Sequence, residues 1–245
     1  MRIRGKKLVY LPIGGALGAG LPVTAFVQPQ AHLAASQACY GVCGSTTALT
    51  LSTSTVTVGR ESEAQFRVRV TADAAGSGQP TGSVVVATRS RILCSFDLSH
   101  GRGRCSLGDR QLPPGSYAIE AHYGGDANLD PSTSGRERLT VSRGSSSTAL
   151  SLSTSTVTVG RESEAQFRVR VTADAAGSGE PTGPVVVATR SRILCIFDLS
   201  RGRGRCSLGD RQLPPGSYAI EAHYGGDADL DPSTSGREHL TVRRP

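Results

Sequence analysis

The sequence contains no tryptophan, one methionine and only 4% aromatic residues, and its last lysine is Lys7. Without tryptophan, a packed core must be built from Val, Leu, Ile, Phe and Tyr. The scarcity of aromatic rings also argues against a surface that stacks nucleic-acid bases, so no nucleic-acid partner is expected. Beyond the N-terminus no stretch places apolar residues at the 3.6-residue spacing of an amphipathic helix, which excludes helical bundles and α/β folds. A glycine-rich phosphate loop, which needs a following helix, is therefore absent, as is any Gly-x-Ser-x-Gly nucleophile turn. His122 and His223 fall on the wet faces of predicted strands, with serines and aspartates scattered among turns, so no catalytic triad, enzyme activity or cofactor is expected.

What the chain does contain is one module written twice. Aligning Ala48 with Ala149 gives an offset of 101, and eight of 95 positions then differ up to Ser142 and Arg243. These are Thr50/Ser151, Gln79/Glu180, Ser83/Pro184, Ser95/Ile196, His100/Arg201, Asn128/Asp229, Arg138/His239 and Ser142/Arg243. A period this long is a whole domain, whereas solenoid units of roughly 20–50 residues need neighbours to close their cores. Each copy is therefore expected to fold alone.

The N-terminus opens MRIRGKK, continues with an uncharged run over Leu8–Val27 and ends in a small-residue, Gln-containing stretch. That order is the n-region, h-region and cleavage region of a secretory signal, assigned here to residues 1–38. Its glycines and prolines make a permanent span the poorer alternative, so a membrane is expected only through this segment if it stays uncleaved. Of the formal charge of +7, Arg2, Arg4, Lys6 and Lys7 supply four, leaving an ordinary +3 beyond residue 38. Six cysteines in an exported chain point to disulfides. The repeat makes Cys94 with Cys105 and Cys195 with Cys206 equivalent pairs. It leaves Cys39 and Cys43, in a segment over residues 39–46, to bridge each other or bond to another chain.

Within the first module, ALTLSTSTVTV over Ala48–Val58 predicts two short strands split at Ser52–Ser54. Ala64–Ala72 alternates cleanly, with Phe66, Val68 and Val70 inward and Gln65, Arg67 and Arg69 outward. After a Gly/Ser/Pro loop, Ser83–Arg89 predicts an interior strand with Val84 and Val86 inward. Ile92–Ser99 and Arg104–Leu107 are expected to form a hairpin about His100-Gly101-Arg102-Gly103, its glycines supplying positive φ. Cys94 then faces Cys105 on the core side, and the bridge closes a short loop worth roughly 2–3 kcal/mol. Past Leu112-Pro113-Pro114-Gly115, a strand carries Tyr117, Ile119, Ala121 and Tyr123 on one face, Tyr117 being placed to anchor a tyrosine corner. A long loop from Gly124 and a closing strand over Arg138–Val141 complete the unit. Strands every eight to twelve residues predict an all-β fold of two tandem sandwiches, at 47–142 and 148–243 with a linker at 143–147. So short a linker predicts modules held end to end with limited bending, its Gly/Ser composition keeping it from being rigid.

PTGSVVV, the Cys-containing segment, LPPGSYAIEAHY and GGDANLDPSTS, in this order, resemble the bacterial Ig-like domain repeats of surface and secreted proteins. The resemblance covers about four-fifths of the chain and implies an immunoglobulin-like sandwich used as a stalk, spacer or adhesive module, secreted or at the bacterial cell surface. No sorting motif follows the last strand, so anchoring at the C-terminal end is not expected. Two candidate sites accompany it. Asp126 and Asp130, with Asp227, Asp229 and Asp231, lie in end loops where oxygen ligands for calcium could gather, although Gly-Asp and Asp-Pro also simply make turns. Arg67 and Arg69 on one outward face, with Arg168 and Arg170 in the second copy, and Arg89, Arg91, Arg102, Arg104 and Arg110 around the expected hairpin present a basic stripe, and this face or the end loops offer an alternative role, binding a cell-wall polymer, a glycan or a host protein.

Overall fold

The computed structural model describes residues 41–245, which are all-β. The expected signal segment and Cys39 lie outside the described residues. No helix among the described residues is long and apolar enough to cross a membrane. The first module has strands β1 (Ser45–Leu51), β2 (Thr55–Thr57), β3 (Gln65–Ala72), β4 (Ser83–Thr88), β5 (Ile92–Asp97), β6 (Arg102–Ser106), β7 (Gly115–Tyr123), β8 (Ser132–Thr133) and β9 (Glu137–Ser142). The second repeats them as β10 (Ser146–Leu152), β11 (Thr156–Thr158), β12 (Gln166–Ala173), β13 (Pro184–Thr189), β14 (Ile193–Asp198), β15 (Arg203–Ser207), β16 (Gly216–Tyr224), β17 (Ser233–Thr234) and β18 (Glu238–Arg243).

Each module is a sandwich of two sheets, ordered β1-β3-β6 and β2-β9-β7-β4-β5 in the first, with β8 added to β7. The break at Ser52–Ser54 is where the chain changes sheet: β1 runs antiparallel to β3, while β2 pairs in parallel with β9 on the other layer. Period-two alternation buries one side of each layer. Phe66, Val84, Val86, Ile119 and Leu139 are fully buried, and Phe167, Val185, Val187, Ile220 and Leu240 repeat them. At about 1.5–3 kcal/mol for each large apolar side chain, these positions dominate folding. The Tyr117 hydroxyl donates to the Pro113 carbonyl at 2.6 Å and Tyr218 to Pro214 at 2.7 Å, fixing the corner into β7 and β16.

The expected hairpin is corrected. Its turn is only two residues long, with positive φ at His100 and Gly101, and Ser99 with Arg102 makes the one rung. Beyond that rung β5 joins β4 and β6 joins β3, in opposite layers. Gly103 has another purpose than positive φ: a Cβ there would lie 2.1 Å from the Phe96 ring, so its missing side chain makes room for that ring between the layers. The disulfides Cys94–Cys105 and Cys195–Cys206, each with Cα atoms 6.5 Å apart, therefore tie edge strands of the two sheets together. Cys43 is also disulfide-bonded.

Replacing Cys94 and Cys105 by alanine is expected to lower the stability of the first module by about 2–3 kcal/mol. A calorimetric scan should then split into two transitions, one lowered by about 10–20 °C and the other unmoved.

Candidate functional site

The residues that do more than fill a core gather at the joint between the modules. Glu61 sits in a short 3-10 turn after β2 and is completely buried. Its Oε2 accepts the Arg110 backbone N–H at 2.8 Å. This bond holds Arg110 in the left-handed region at φ 60°, a conformation unfavourable for a residue with a Cβ. The guanidinium is thereby aimed out of the base of the first module. It meets the Asp229 carboxylate at 2.6 Å and the Gly177 carbonyl at 3.0 Å, both on end loops of the second module. Beside them the Ser178 hydroxyl donates to the Val58 carbonyl at 3.4 Å. Val58 is 2% exposed and Ser178 0%, whereas their counterparts Val159 and Ser77 are only half-buried. Gly59, at φ 82°, approaches so closely that a Cβ would lie 2.1 Å from the Gly177 oxygen.

The linker is stitched to the second module rather than free. Gly144 donates to Asp229 O and accepts from Asp231 N, both at 2.8 Å, forming an isolated bridge with Leu230. β9 ends at Ser142 and β10 begins at Ser146, which shortens the connection to residues 143–145. Composition alone pointed to a looser tether. The joint itself went unrecognised in the sequence, although Asn128/Asp229 stood among the eight differences; a carboxylate gained at an end loop was the available signal.

The end-loop aspartates are engaged in bonds within their own loops. Among the described residues no three acidic, histidine or cysteine groups converge as cation ligands. Asp126 instead clamps its own loop: Oδ1 accepts the Asn128 and Leu129 N–H groups and Oδ2 accepts the Thr81 N–H and hydroxyl. Asp227 repeats this with Asp229, Leu230 and Thr182. The Thr81 and Asn128 N–H donors hold the Asp126 carboxyl well below the usual carboxylate range. At Asp227 burial opposes ionisation, but the Thr182 and Asp229 N–H groups outweigh it and the value is again lowered. Burial pushes the neighbouring Tyr123 phenol up, with the Asp126 charge adding to the effect. Asp130 and Asp231 have exposed side chains, and their backbone N–H groups donate to the Cys43 and Gly144 carbonyls, both at 2.8 Å. His122 Nδ1 is 3.1 Å from Thr133 Oγ1 on β8, and His223 matches it with Thr234 on β17.

The arginines are brought together. Arg67 lies opposite Arg104 and Arg69 opposite Arg102 on the outward side of β3 and β6. Arg168 and Arg170 face Arg205 and Arg203 in the second module. All are exposed.

Two sheets of this order, a tyrosine corner and an inter-sheet disulfide define a tandem immunoglobulin-like sandwich protein. Residues 49–142 and 150–243 match the sequence profile of the bacterial Ig-like domain (group 3) family, and the chain belongs to that family. No curated protein matches the sequence. Similar solved structures include a tetra-tandem repeat from the extending region of a large adhesion protein (16% identity, TM-score 0.46, 81% of this chain and 49% of that one). Others are invasin, a bacterial integrin-binding protein (16%, 0.44, 78% and 39%), and the Yersinia pseudotuberculosis adhesin InvE (11%, 0.41, 80% and 58%). The chain spans between 39% and 58% of the length of these three proteins. At such scores the likeness bears no functional argument.

Because the Asp126 and Asp227 carboxyls are depressed on folding, their stabilisation is present above the ordinary value of 3.8 and lost as the pH falls from there towards the folded value. Thermal melts from neutral pH to about pH 2 should show Tm falling through that window. Asp126→Asn with Asp227→Asn should lower stability at neutral pH by about 1.5–3 kcal/mol per site and flatten the acid fall.

Proposed function

We propose that this is a non-catalytic, exported spacer of the bacterial surface, in which two Ig-like modules are held end to end so that duplication adds length. The observation that carries the reading is the joint: Arg110 on Asp229 and Gly177, Gly59 against Gly177, and Val58 closed off by Ser178. A display or stalk element must transmit position, which a freely hinged pair of domains does not do. Membership of the bacterial Ig-like family supports the surface or secreted setting.

Magnitudes indicate that the joint holds without being strong. The Arg110 and Asp229 side chains are 48% and 29% exposed, so their pair contributes about 0.2–1 kcal/mol. The three-residue tether, however, raises the effective concentration of one face at the other into at least the millimolar range. A dissociation constant of about 1 mM corresponds to only about −4.1 kcal/mol. At such an effective concentration a contact of that strength suffices to keep the joint closed, so loss of either the ion pair or the packing around Gly59 and Val58 shifts the population of the closed joint measurably.

Gly59→Ala is expected to open the joint, because its Cβ collides with the Gly177 oxygen. Gly160→Ala is the matched control: it has φ 88° and thus the same backbone strain, but nothing lies within 4 Å of its Cβ. Small-angle scattering should show a broader distribution of inter-module distances for Gly59→Ala and an unchanged one for Gly160→Ala. Equal behaviour of both variants would remove the joint as the basis of the spacer reading.

A further inference from the structure

We propose that the outward face of the three-stranded sheet in each module binds an extended polyol-phosphate polymer, a chain of short polyols joined by phosphodiesters. The face carries a repulsion that the fold does not need. Arg67 opposite Arg104 and Arg69 opposite Arg102 place four guanidiniums on neighbouring rungs of β3 and β6. Like charges directly opposite one another destabilise an antiparallel pair. The second module keeps the whole arrangement in Arg168, Arg170, Arg203 and Arg205.

Carboxylates elsewhere on the surface do find arginines, as in Arg60–Glu63, Arg136–Glu120 and Arg237–Glu221. None of the eight face arginines takes part in an ion pair among the described residues. Arg67 and Arg168 reach only the neutral Gln65 and Gln166 side chains, at 3.4 and 3.3 Å. Each module thus concentrates four positive charges on one face, although the chain beyond residue 38 carries a net +3. Directly opposite residues have Cβ atoms about 4.5–5.5 Å apart, inside the physiological Debye length of about 8 Å, so each facing pair acts together.

The shape of the face narrows the ligand. Ala48 and Thr50 on β1 stand lower than the arginine stems and leave a hollow of about 580 Å³ in the first module; around Ala149 and Ser151 it is about 810 Å³, with Asp198 the one carboxylate in its lining against four arginines. Same-face residues along β3 are about 6.6–6.8 Å apart, so the rows suit a slender chain with one anion per step of that length. Successive phosphorus atoms joined by a three-carbon polyol are six covalent bonds apart, as are the Cα atoms of same-face residues i and i+2, so the two extended chains have similar repeats. Guanidinium forks grip phosphate oxygens in bidentate fashion, which suits the face to phosphodiesters. No aromatic side chain stands among these residues to stack a base, which disfavours single-stranded nucleic acid. The proposal does not depend on the spacer reading, since a variant with an opened joint keeps both faces.

The test is titration of the full chain with a defined-length glycerol-phosphate oligomer, beside a heparin fragment of equal charge and duplex DNA. The glycerol-phosphate oligomer should bind most tightly, with log affinity falling against log salt at a slope of roughly −3 per occupied quartet. Arg102→Gln, Arg104→Gln, Arg203→Gln and Arg205→Gln together should weaken binding at least tenfold and about halve that slope, with Tm unchanged or raised because repulsion is relieved. Arg136→Gln with Arg237→Gln, away from the face, should leave binding unchanged. Undiminished binding by the quadruple variant, absent binding by the parent chain, or tighter binding of heparin or DNA would overturn the proposal.

Discussion

The placement of the second module depends on a carboxylate buried in the first. Glu61 holds the Arg110 backbone in a left-handed conformation that a side-chain-bearing residue adopts only when its surroundings compel it. That conformation directs the guanidinium onto Asp229 and Gly177, and the linker is fixed beside them by its bonds to Asp229 and Asp231. Glu162 holds Arg211 in the same conformation at the base of the second module. Duplication therefore copied the device intact. What differs is the receiving loop: Asn128 in one copy, Asp229 in the other, so a charge pair forms where the two copies meet.

Around that joint each module is self-sufficient. Its core is drawn from both layers, and the layers are tied at one edge by Cys94–Cys105 or Cys195–Cys206. Small sandwiches bury a modest share of their surface, so a covalent tie between sheets is a substantial fraction of a net stability of about 5–15 kcal/mol. The end loops are stiffened differently, by Asp126 and Asp227 satisfying backbone N–H groups. Stiff end loops matter because one of them, around Asp227, presents Asp229 to Arg110.

Much of this was legible in the residues. Alternation in QFRVRV and SYAIEAHY placed Phe66, Val68, Ile119 and Ala121 inward, and Pro-Pro-Gly-Ser-Tyr announced the tyrosine corner that the Tyr117 hydroxyl makes. The sheet change after Leu51 showed as a break, but period two does not tell to which layer a strand returns. For the same reason β5 and β6 read as a hairpin: two strands joined by a tight turn have one local pattern, whether they pair or separate into opposite sheets. Gly103 misled because glycine signals positive φ and also missing volume, and only the Phe96 ring decides between them. β8, with two residues, lies below any periodic signal. The joint was invisible because its contacts join residues 67 to 120 positions apart, and no local rule ranks Asn128/Asp229 above the other seven differences. The arginine face was legible in part, since Arg67 and Arg69 alternate with apolar residues, but their pairing with Arg104 and Arg102 needed the register.

The most direct test of the account is residual dipolar coupling of the two modules in weakly aligned solution. If the joint holds as described, couplings from residues 47–142 and 148–243 fit one shared alignment tensor with the modules in their observed orientation. Separate tensors of clearly different magnitude would show modules that reorient independently, and would contradict the claim that Arg110, Asp229 and Gly59 make two sandwiches into one spacer.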